Sequence, residues 1–134
     1  MIFNNQKMQL RWTFDSTIFK NHFTNPIFGI ESDLNWMRGH LIIRSEIGLE
    51  IGPFDLIIKF SNEYYNGTKP PETYLMSHRK DWVNCGDAHI EEDWKLCPFV
   101  EFESEIDFTS EHSFVYYLER LSSYLYDAWS YQDE

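Results

Sequence analysis

The chain has 134 residues, a length that suits one domain, and we predict a single domain over residues 1–134. Hydrophobic residues make up 43% of it and aromatic residues 18%, so the chain can bury a core, and the composition argues against intrinsic disorder. The formal net charge of −11 argues against nucleic acids and anionic membrane surfaces as partners, because both require exposed Lys and Arg.

Apolar residues recur at helical spacing in the first segment of the chain, over residues 6–21. Leu10, Phe14 and Ile18 are each four positions apart, with other aromatic residues between them. This spacing predicts an N-terminal helix. The Asn-Pro pair at residues 25–26 predicts that the helix ends before it.

The middle of the chain is rich in branched and aromatic residues, which favours strands. Residues 54–60 alternate between apolar and other positions with the period of two that is typical of a strand. Residues 34–44, 47–51 and 73–76 are three further predicted strands. Because the connections between most of them are short, we expect a four-stranded antiparallel meander.

The C-terminal segment has the pattern of an amphipathic helix. Thr109 or Ser110 can cap its first turn. One face then carries apolar residues at steps of four, three, four and three, namely Phe114, Leu118, Leu121, Leu125 and Ala128. The aromatic residues beside this stripe are interpreted as packing against the sheet. The predicted fold class is therefore α+β, with helices on one face of a small sheet.

The N-terminal residues lack the pattern of a targeting signal, and no apolar stretch approaches the roughly 20 residues that span a bilayer. We therefore expect a cytoplasmic protein without a membrane partner. Two cysteines, Cys85 and Cys97, are too few for a disulfide framework, so both should be thiols in a reducing cytosol.

Cys97 is the first candidate for chemistry. It is followed by Pro98, which favours extended backbone at the cysteine. The reactive form of a cysteine is the thiolate, which nearby acidic residues disfavour. Such a thiol suits the acceptance of an acyl group from another thioester better than the hydrolysis of a peptide bond. The alternative is a buried, inert cysteine. The acidic neighbours are Glu91, Glu92, Asp93 and Glu101.

His89 lies eight residues before Cys97. A Cys-His protease would need the imidazole within about 3 Å of the sulfur and a third group to orient it, and no protease motif surrounds either residue. We therefore interpret His89 as a residue that holds a loop by hydrogen bonds. Asp87 is its candidate partner.

A zinc site is a further hypothesis. His78, Cys85, His89 and Cys97 are zinc-type ligands separated by six, three and seven residues. These spacings do not form a common finger pattern, and neither cysteine belongs to a C-x-x-C motif. We predict no metal site, and keep a small zinc-stabilised interaction domain as an alternative.

Four short motifs, in this order, resemble the ubiquitin-conjugating (UBC) fold and in particular its bacterial members. The likeness extends over residues 34–125. The motifs are a glycine-aromatic entry into a strand, a tyrosine pair, a double proline, and a histidine followed by Leu-Cys. In this sequence they are Gly52-Pro53-Phe54, Tyr64-Tyr65, Pro70-Pro71, and His89 with Leu96-Cys97.

The resemblance implies a UBC-like domain with an N-terminal helix, a four-stranded meander, an active-site loop and a C-terminal helix. It also implies an enzyme, in which Cys97 accepts the C-terminal acyl group of a donor protein from an activating enzyme and passes it to an amine. No metal or cofactor is implied. His89 would shape the active-site loop and Asp87 would anchor it. The sequence departs from the family at Ile90-Glu91, where a proline and an asparagine are usual.

Bacterial members of this family that lack a fused activating domain occur in antiphage operons. In the cyclic-oligonucleotide (CBASS) type, the donor is the C-terminus of a cGAS-like nucleotidyltransferase, and in other operons it is a ubiquitin-like protein. The resemblance thus implies one of these donors, with a separate activating enzyme as a further partner. The missing asparagine and the acidic residues near Cys97 keep a non-catalytic adaptor of the same fold as an alternative.

Overall fold

The computed structural model describes residues 6–32, 34–67, 69–79, 93–96, 98 and 113–130. These residues form an N-terminal helix, an antiparallel sheet and a C-terminal helix, so the predicted α+β class is confirmed. The elements are α1 (Gln6–His22), β1 (Thr24–Ile30), β2 (Asn35–Arg44), β3 (Glu50–Phe60), the one-turn helix α2 (Asn62–Tyr65), β4 (Glu72–Leu75), β5 (Lys95–Leu96) and α3 (Ser113–Ser130). No helix of this described portion is long and apolar enough to cross a membrane.

The sheet is an antiparallel meander of five strands in the order β1-β2-β3-β4-β5, so the predicted number of four is wrong. The stretch 47–51 is not a separate strand, because it contains the turn between β2 and β3 and the first residues of β3. The additional strands are β1 and β5. Pro26 lies in edge strand β1, where the pairing with β2 is irregular and a missing N–H is tolerated.

Side chains of β2 and β3 alternate between the two faces of the sheet, as the period of two predicts. One face is buried beneath both long helices. On this face, the Phe60 ring at the end of β3 lies 5.9 Å from the Trp12 ring of α1 and 5.5 Å from the Phe114 ring of α3. The sheet residues buried on this face are Asn35, Met37, Gly39, Leu41, Ile43, Phe54, Leu56, Ile58, Phe60, Thr73, Leu75 and Leu96.

The predicted N-terminal helix is confirmed and ends one residue later than expected, at His22. Only part of the apolar row that predicted this helix is buried, because Leu10 and Phe14 are 62% and 41% exposed. The residues that α1 buries are Asp15, Ile18 and Phe19. A buried carboxylate thus lies on the core side of this helix.

Asp15 is held in a network that joins three helices. Arg11 Nε lies 3.1 Å from the Asp15 carboxylate, and the Tyr64 hydroxyl of α2 donates to the same carboxylate at 2.7 Å. Arg11 also donates to the Tyr64 hydroxyl and to Ser113 Oγ at the start of α3.

Burial raises the pKa of Asp15 from 3.8 to about 6, although the Arg11 charge and the hydrogen bonds oppose this shift. Burial likewise raises the pKa of Tyr64.

The predicted C-terminal helix is confirmed, and its five-residue apolar face is buried as expected. Tyr117 is also buried, which agrees with its interpretation as a packing residue. The predicted caps, Thr109 and Ser110, lie outside the described residues. The same is true of most of the predicted active-site loop between β4 and α3.

We expect Gly52→Ala to lower the free energy of unfolding by about 3 kcal/mol. Gly52 has a φ of 110°, and an added Cβ would lie 2.8 Å from the Leu41 carbonyl oxygen and 2.9 Å from the Phe54 nitrogen. Gly48→Ala is the matched control, since its φ is 84° but nothing lies within 4 Å of an added Cβ. The control should cost about 1 kcal/mol. Urea denaturation of both variants measures the difference, and equal losses would contradict the predicted backbone clash.

Candidate functional site

The predicted site residues Cys97, His89 and Asp87 lie outside the described residues. Their proposed roles therefore stay predictions. The structure does describe the residues on both sides of Cys97 in the sequence, Leu96 and Pro98. The surroundings of these two neighbours define the candidate site.

The backbone that leads to Cys97 is fixed to the edge of the sheet. Leu96 pairs with Thr73 of β4, and the Leu96 side chain is only 2% exposed. Two residue pairs further back, the Leu75 N–H donates to the Trp94 carbonyl at 2.9 Å. A buried leucine and a paired backbone thus hold the last residues before Cys97 in a defined place.

The turn into β5 is stabilised by contacts between side chains and backbone. Trp94 has a φ of 67°, a left-handed conformation that is unfavourable for a tryptophan. The Arg79 guanidinium lies 5.4 Å from the centre of the Trp94 ring, and Arg79 Nε donates to the Leu75 carbonyl at 2.9 Å. The Asp93 carboxylate accepts a hydrogen bond from the Lys95 N–H at 3.2 Å. Asp93, one of the acidic residues before Cys97, therefore stabilises the turn that leads into β5.

A pocket of about 250 Å³ lies beside β5. One side is the double proline 70–71 that the sequence singled out, and another is formed by the two neighbours of Cys97. Tyr117 of α3 also contributes to the lining. The full set of lining residues is Lys69, Pro70, Pro71, Glu72, Lys95, Leu96, Pro98 and Tyr117. Folding thus brings the Pro-Pro motif and the Leu-Cys-Pro motif, which are far apart in the sequence, to one pocket.

No family model, curated protein or solved structure matches this chain. The resemblance of its motifs to the UBC fold therefore stays a prediction.

Two lysines carry positive charge at this pocket. The Lys95 ammonium lies 3.4 Å from the Glu72 carboxylate, and the Lys69 ammonium lies 3.0 Å from that of Glu63. Both pairs are solvent-exposed to a large degree, and such pairs contribute at most about 1 kcal/mol. The lysines can therefore leave these partners for an anionic group of a ligand at little cost.

The polar group of Tyr117 is already satisfied within the fold. Its hydroxyl lies 2.5 Å from the Thr73 hydroxyl, and both residues are buried. Because Tyr117 is only 1% exposed, it offers almost no surface to a ligand. The local sequence indicates Tyr117 only as a packing residue and does not distinguish Lys69 or Glu72, because nothing in it indicates a shared pocket.

His78 is the one ligand of the zinc hypothesis that the structure describes. It follows β4 with a φ of 59°, and its Nδ1 lies 2.7 Å from Ser77 Oγ. Ser77 Oγ in turn accepts a hydrogen bond from the Asp55 N–H at 2.9 Å. Across the described ranges, no three His, Cys, Asp or Glu residues are grouped in a way that could hold a metal ion. The zinc hypothesis stays untested, because its other three residues lie outside these ranges.

A separate ion pair lies on the opposite face of the sheet from the core. Arg38 donates to the two carboxylate oxygens of Asp55 at 3.0 and 2.8 Å. Hydrogen bonding from Arg38 lowers the pKa of Asp55 and keeps this carboxylate ionised. The pair links β2 to β3, and neither residue is part of the pocket lining, so it is not assigned to the candidate site.

Proposed function

We propose that this chain is a ubiquitin-conjugating-like transferase that carries the C-terminal acyl group of a donor protein as a thioester on Cys97. The observation that carries the proposal is the pocket beside β5. Leu96 and Pro98, the neighbours of Cys97, form part of its lining, together with Pro70 and Pro71 of the double-proline motif. The order of helix, antiparallel meander and helix supports it, since this order agrees with the UBC fold that the motifs resemble.

The chemistry consists of two acyl transfers. In the first, the Cys97 thiolate attacks the donor's carbonyl carbon, which is held as a thioester on an activating enzyme. A new C–S bond forms to Cys97, and the activating enzyme leaves as a thiolate. In the second, a neutral amine attacks the same carbon, an amide bond forms, and the Cys97 thiolate leaves while the amine proton passes to water. Neither step changes an oxidation state or needs a metal or cofactor.

In this mechanism His89 shapes the loop around the thioester and Asp87 anchors His89. The oxyanion of each tetrahedral intermediate needs hydrogen-bond donors, and the family's usual asparagine is replaced by Glu91. A carboxylate cannot donate when it is ionised, so a donor other than the Glu91 side chain is needed, and a backbone N–H group can serve. The donor protein is a cGAS-like nucleotidyltransferase in an antiphage (CBASS) setting, or a ubiquitin-like protein.

We expect Cys97→Ala to abolish a covalent adduct that the wild-type chain forms with its donor and activating enzyme. Non-reducing gels should show an adduct that dithiothreitol removes, because a thioester exchanges readily with thiols. Cys97→Ser should give an adduct that resists dithiothreitol, since an oxygen ester forms in its place. Mass spectrometry of the adduct identifies the modified residue.

Cys85→Ala is the matched control, because Cys85 is the other cysteine of the chain. It should retain the adduct. An adduct that survives in Cys97→Ala would overturn the assignment of Cys97. If no donor forms an adduct and Cys97→Ala keeps the full biological activity of the wild-type chain, the non-catalytic adaptor is the correct function.

A further inference from the structure

We propose that the outer edge of β1 (Thr24–Ile30) pairs antiparallel with the same strand of a second copy of this chain, so that the two five-stranded sheets join into one continuous sheet. The interface does not involve Cys97. Its tests are therefore independent of the thioester function.

Strand β1 has an open edge. It lies at one end of the sheet, and within the described part of the chain only β2 pairs with it. Natural edge strands are commonly protected by charged side chains, by proline or by irregular pairing. In β1, Pro26 and the irregular pairing protect only the first half of the strand, whereas residues 27–30 pair regularly with β2 and carry no charge. The second half of β1 is thus a template for another strand.

The hydrogen-bond pattern shows which backbone groups lie on this edge. The Glu31 N–H donates to the Leu34 carbonyl at 2.9 Å, so these two residues form a hydrogen-bonded pair at the end of the β1–β2 ladder. Hydrogen-bonded and non-hydrogen-bonded pairs alternate along an antiparallel ladder. The backbone of Gly29 therefore bonds to β2, whereas the N–H and C=O groups of Phe28 and Ile30 point away from it.

Two exposed isoleucines indicate that the partner is a strand. Ile27 and Ile30 are each 57% exposed. Ile27 pairs with Arg38, which faces away from the core, and Ile30 pairs with Asn35, which faces the core. The two isoleucines thus lie on opposite faces of the sheet. A ligand on one face would cover only one of them, whereas an added strand, with its alternating side chains, covers both.

The edge is complementary to itself when the two-fold axis passes through Gly29. Phe28 then faces Ile30 of the second copy, and every edge-facing N–H and C=O group of both strands is paired. An axis at Phe28 would place Ile30 opposite Pro26, which has no N–H. An axis at Ile30 would place Phe28 opposite Ser32, which lies beyond the strand.

The side chains near this axis fit the pairing. A Cβ added to Gly29 would lie 2.1 Å from Trp36 Cε2, so the Trp36 indole lies across Gly29 on the outer face of β1. Two glycines at the axis leave room for the indoles of both copies to meet. On the other face, Phe28 of the second copy covers exposed surface of Ile30.

The charges beside the axis are complementary as well. In this register, Glu31 of the second copy faces Ile27, which is the neighbour of Arg38 on the same face. Glu31 is exposed, and the Arg38 side chain is 40% exposed. Arg38 donates its Nε and Nη2 to Asp55 and keeps Nη1 for another carboxylate. The symmetry gives two such approaches, which offset part of the repulsion between two chains of net charge −11.

Sedimentation equilibrium of the full-length chain measures the association. Stable interfaces bury about 1,200–2,000 Å² in total, more than short strand segments supply, so we expect a weak dimer that forms between about 10 µM and 1 mM. Dithiothreitol in the buffer excludes dimers that are linked by disulfides. A chain that stays monomeric at about 1 mM would overturn the inference.

Hydrogen exchange of the ¹⁵N-labelled chain locates the interface. The Phe28 and Ile30 amides should exchange at least about tenfold more slowly at high concentration than at low, because only the dimer bonds them. The Gly29 amide, which bonds to β2, should be protected at both concentrations. A dimer that leaves the Phe28 and Ile30 rates unchanged would overturn the inference. Protection of both amides in the monomer would do so too, since a segment of the same chain would then cover the edge.

Ile30→Lys should weaken dimerisation about tenfold, because it places a charge against Phe28 of the second copy. Ile47→Lys is the matched control, since it makes the same change at a residue that is 82% exposed in the turn between β2 and β3. The control should leave the dimerisation constant unchanged. An equal or larger loss in Ile47→Lys would show that the copies associate through that turn and not through β1.

Glu31→Arg tests the register, because it brings a second cation towards Arg38 and should weaken dimerisation about threefold. Glu46→Arg, in the turn between β2 and β3, changes the net charge equally and should not weaken it. General repulsion between two acidic chains would instead make both variants dimerise more tightly. Tighter dimerisation of Glu31→Arg would therefore refute the axis at Gly29.

Discussion

Phe60→Ala is expected to lower the free energy of unfolding by about 3–5 kcal/mol. Phe60 is fully buried at the end of β3, and its ring makes edge-to-face contacts with the rings of Trp12, Tyr64 and Phe114. One side chain thus joins the sheet to α1, α2 and α3. Its truncation removes the apolar surface and leaves a cavity between four elements that cannot all close around it.

Urea denaturation, followed by the fluorescence of the five tryptophans, measures this loss. Phe14→Ala is the control, since Phe14 is an apolar aromatic residue of α1 that is 41% exposed, and we expect a change within about 0.5 kcal/mol. If Phe60→Ala does not fold, Phe60→Leu keeps most of the volume and should cost about 1–2 kcal/mol. A loss below about 1 kcal/mol in Phe60→Ala would show that Phe60 is not central to the core.

The parts of the fold that the sequence predicts are those with local periodicity. The face of α3 that carries Phe114, Leu118 and Leu121 is buried as expected, and so are the alternating residues of β3. In both elements a single apolar surface packs on the core, so the spacing of apolar residues directly reports the geometry.

Prediction fails where distant partners decide the structure. Strand β1 contains Asn25 and Pro26, which locally indicate a break, yet pairing with β2 accommodates them at an irregular edge. On α1, Leu10 is exposed while Asp15 is buried. Asp15 is satisfied by Arg11 nearby and by Tyr64, which comes 49 residues later, and no local pattern reveals that partner.

The candidate site is predictable only in part, for the same reason. Leu-Cys-Pro and the double proline are visible as motifs, but their shared pocket depends on β5 pairing with β4 across residues 76–94. The contributions of Lys69 and Tyr117 to the pocket lining depend on the same pairing of β5 with β4. Motifs therefore identify the chemistry to be tested, whereas the sheet edge determines which groups surround it.

The buried carboxylate of Asp15 predicts a pH dependence of stability. Its pKa rises from 3.8 to about 6 on folding, because burial disfavours the charged form. The folded state therefore holds a proton that the unfolded state has lost between about pH 4 and pH 6. The stability that the protonated Asp15 side chain contributes is fully present below about pH 4, and it is lost as the pH rises through about 6. The loss corresponds to about 3 kcal/mol.

Asp15→Asn isolates this contribution from the titration of the other acidic residues, since the amide does not titrate. The free energy of unfolding of the wild-type chain, relative to that of Asp15→Asn, should fall by about 2 kcal/mol between pH 4 and pH 7, because part of the total is already lost at pH 4. Urea denaturation at several pH values measures the difference. Asp55→Asn is the control of opposite sign, because Arg38 lowers the pKa of Asp55, so that its contribution is lost as the pH falls. A wild-type advantage over Asp15→Asn that grows from pH 4 to pH 7 would mean that Arg11 and Tyr64 outweigh burial and hold Asp15 as a stable carboxylate.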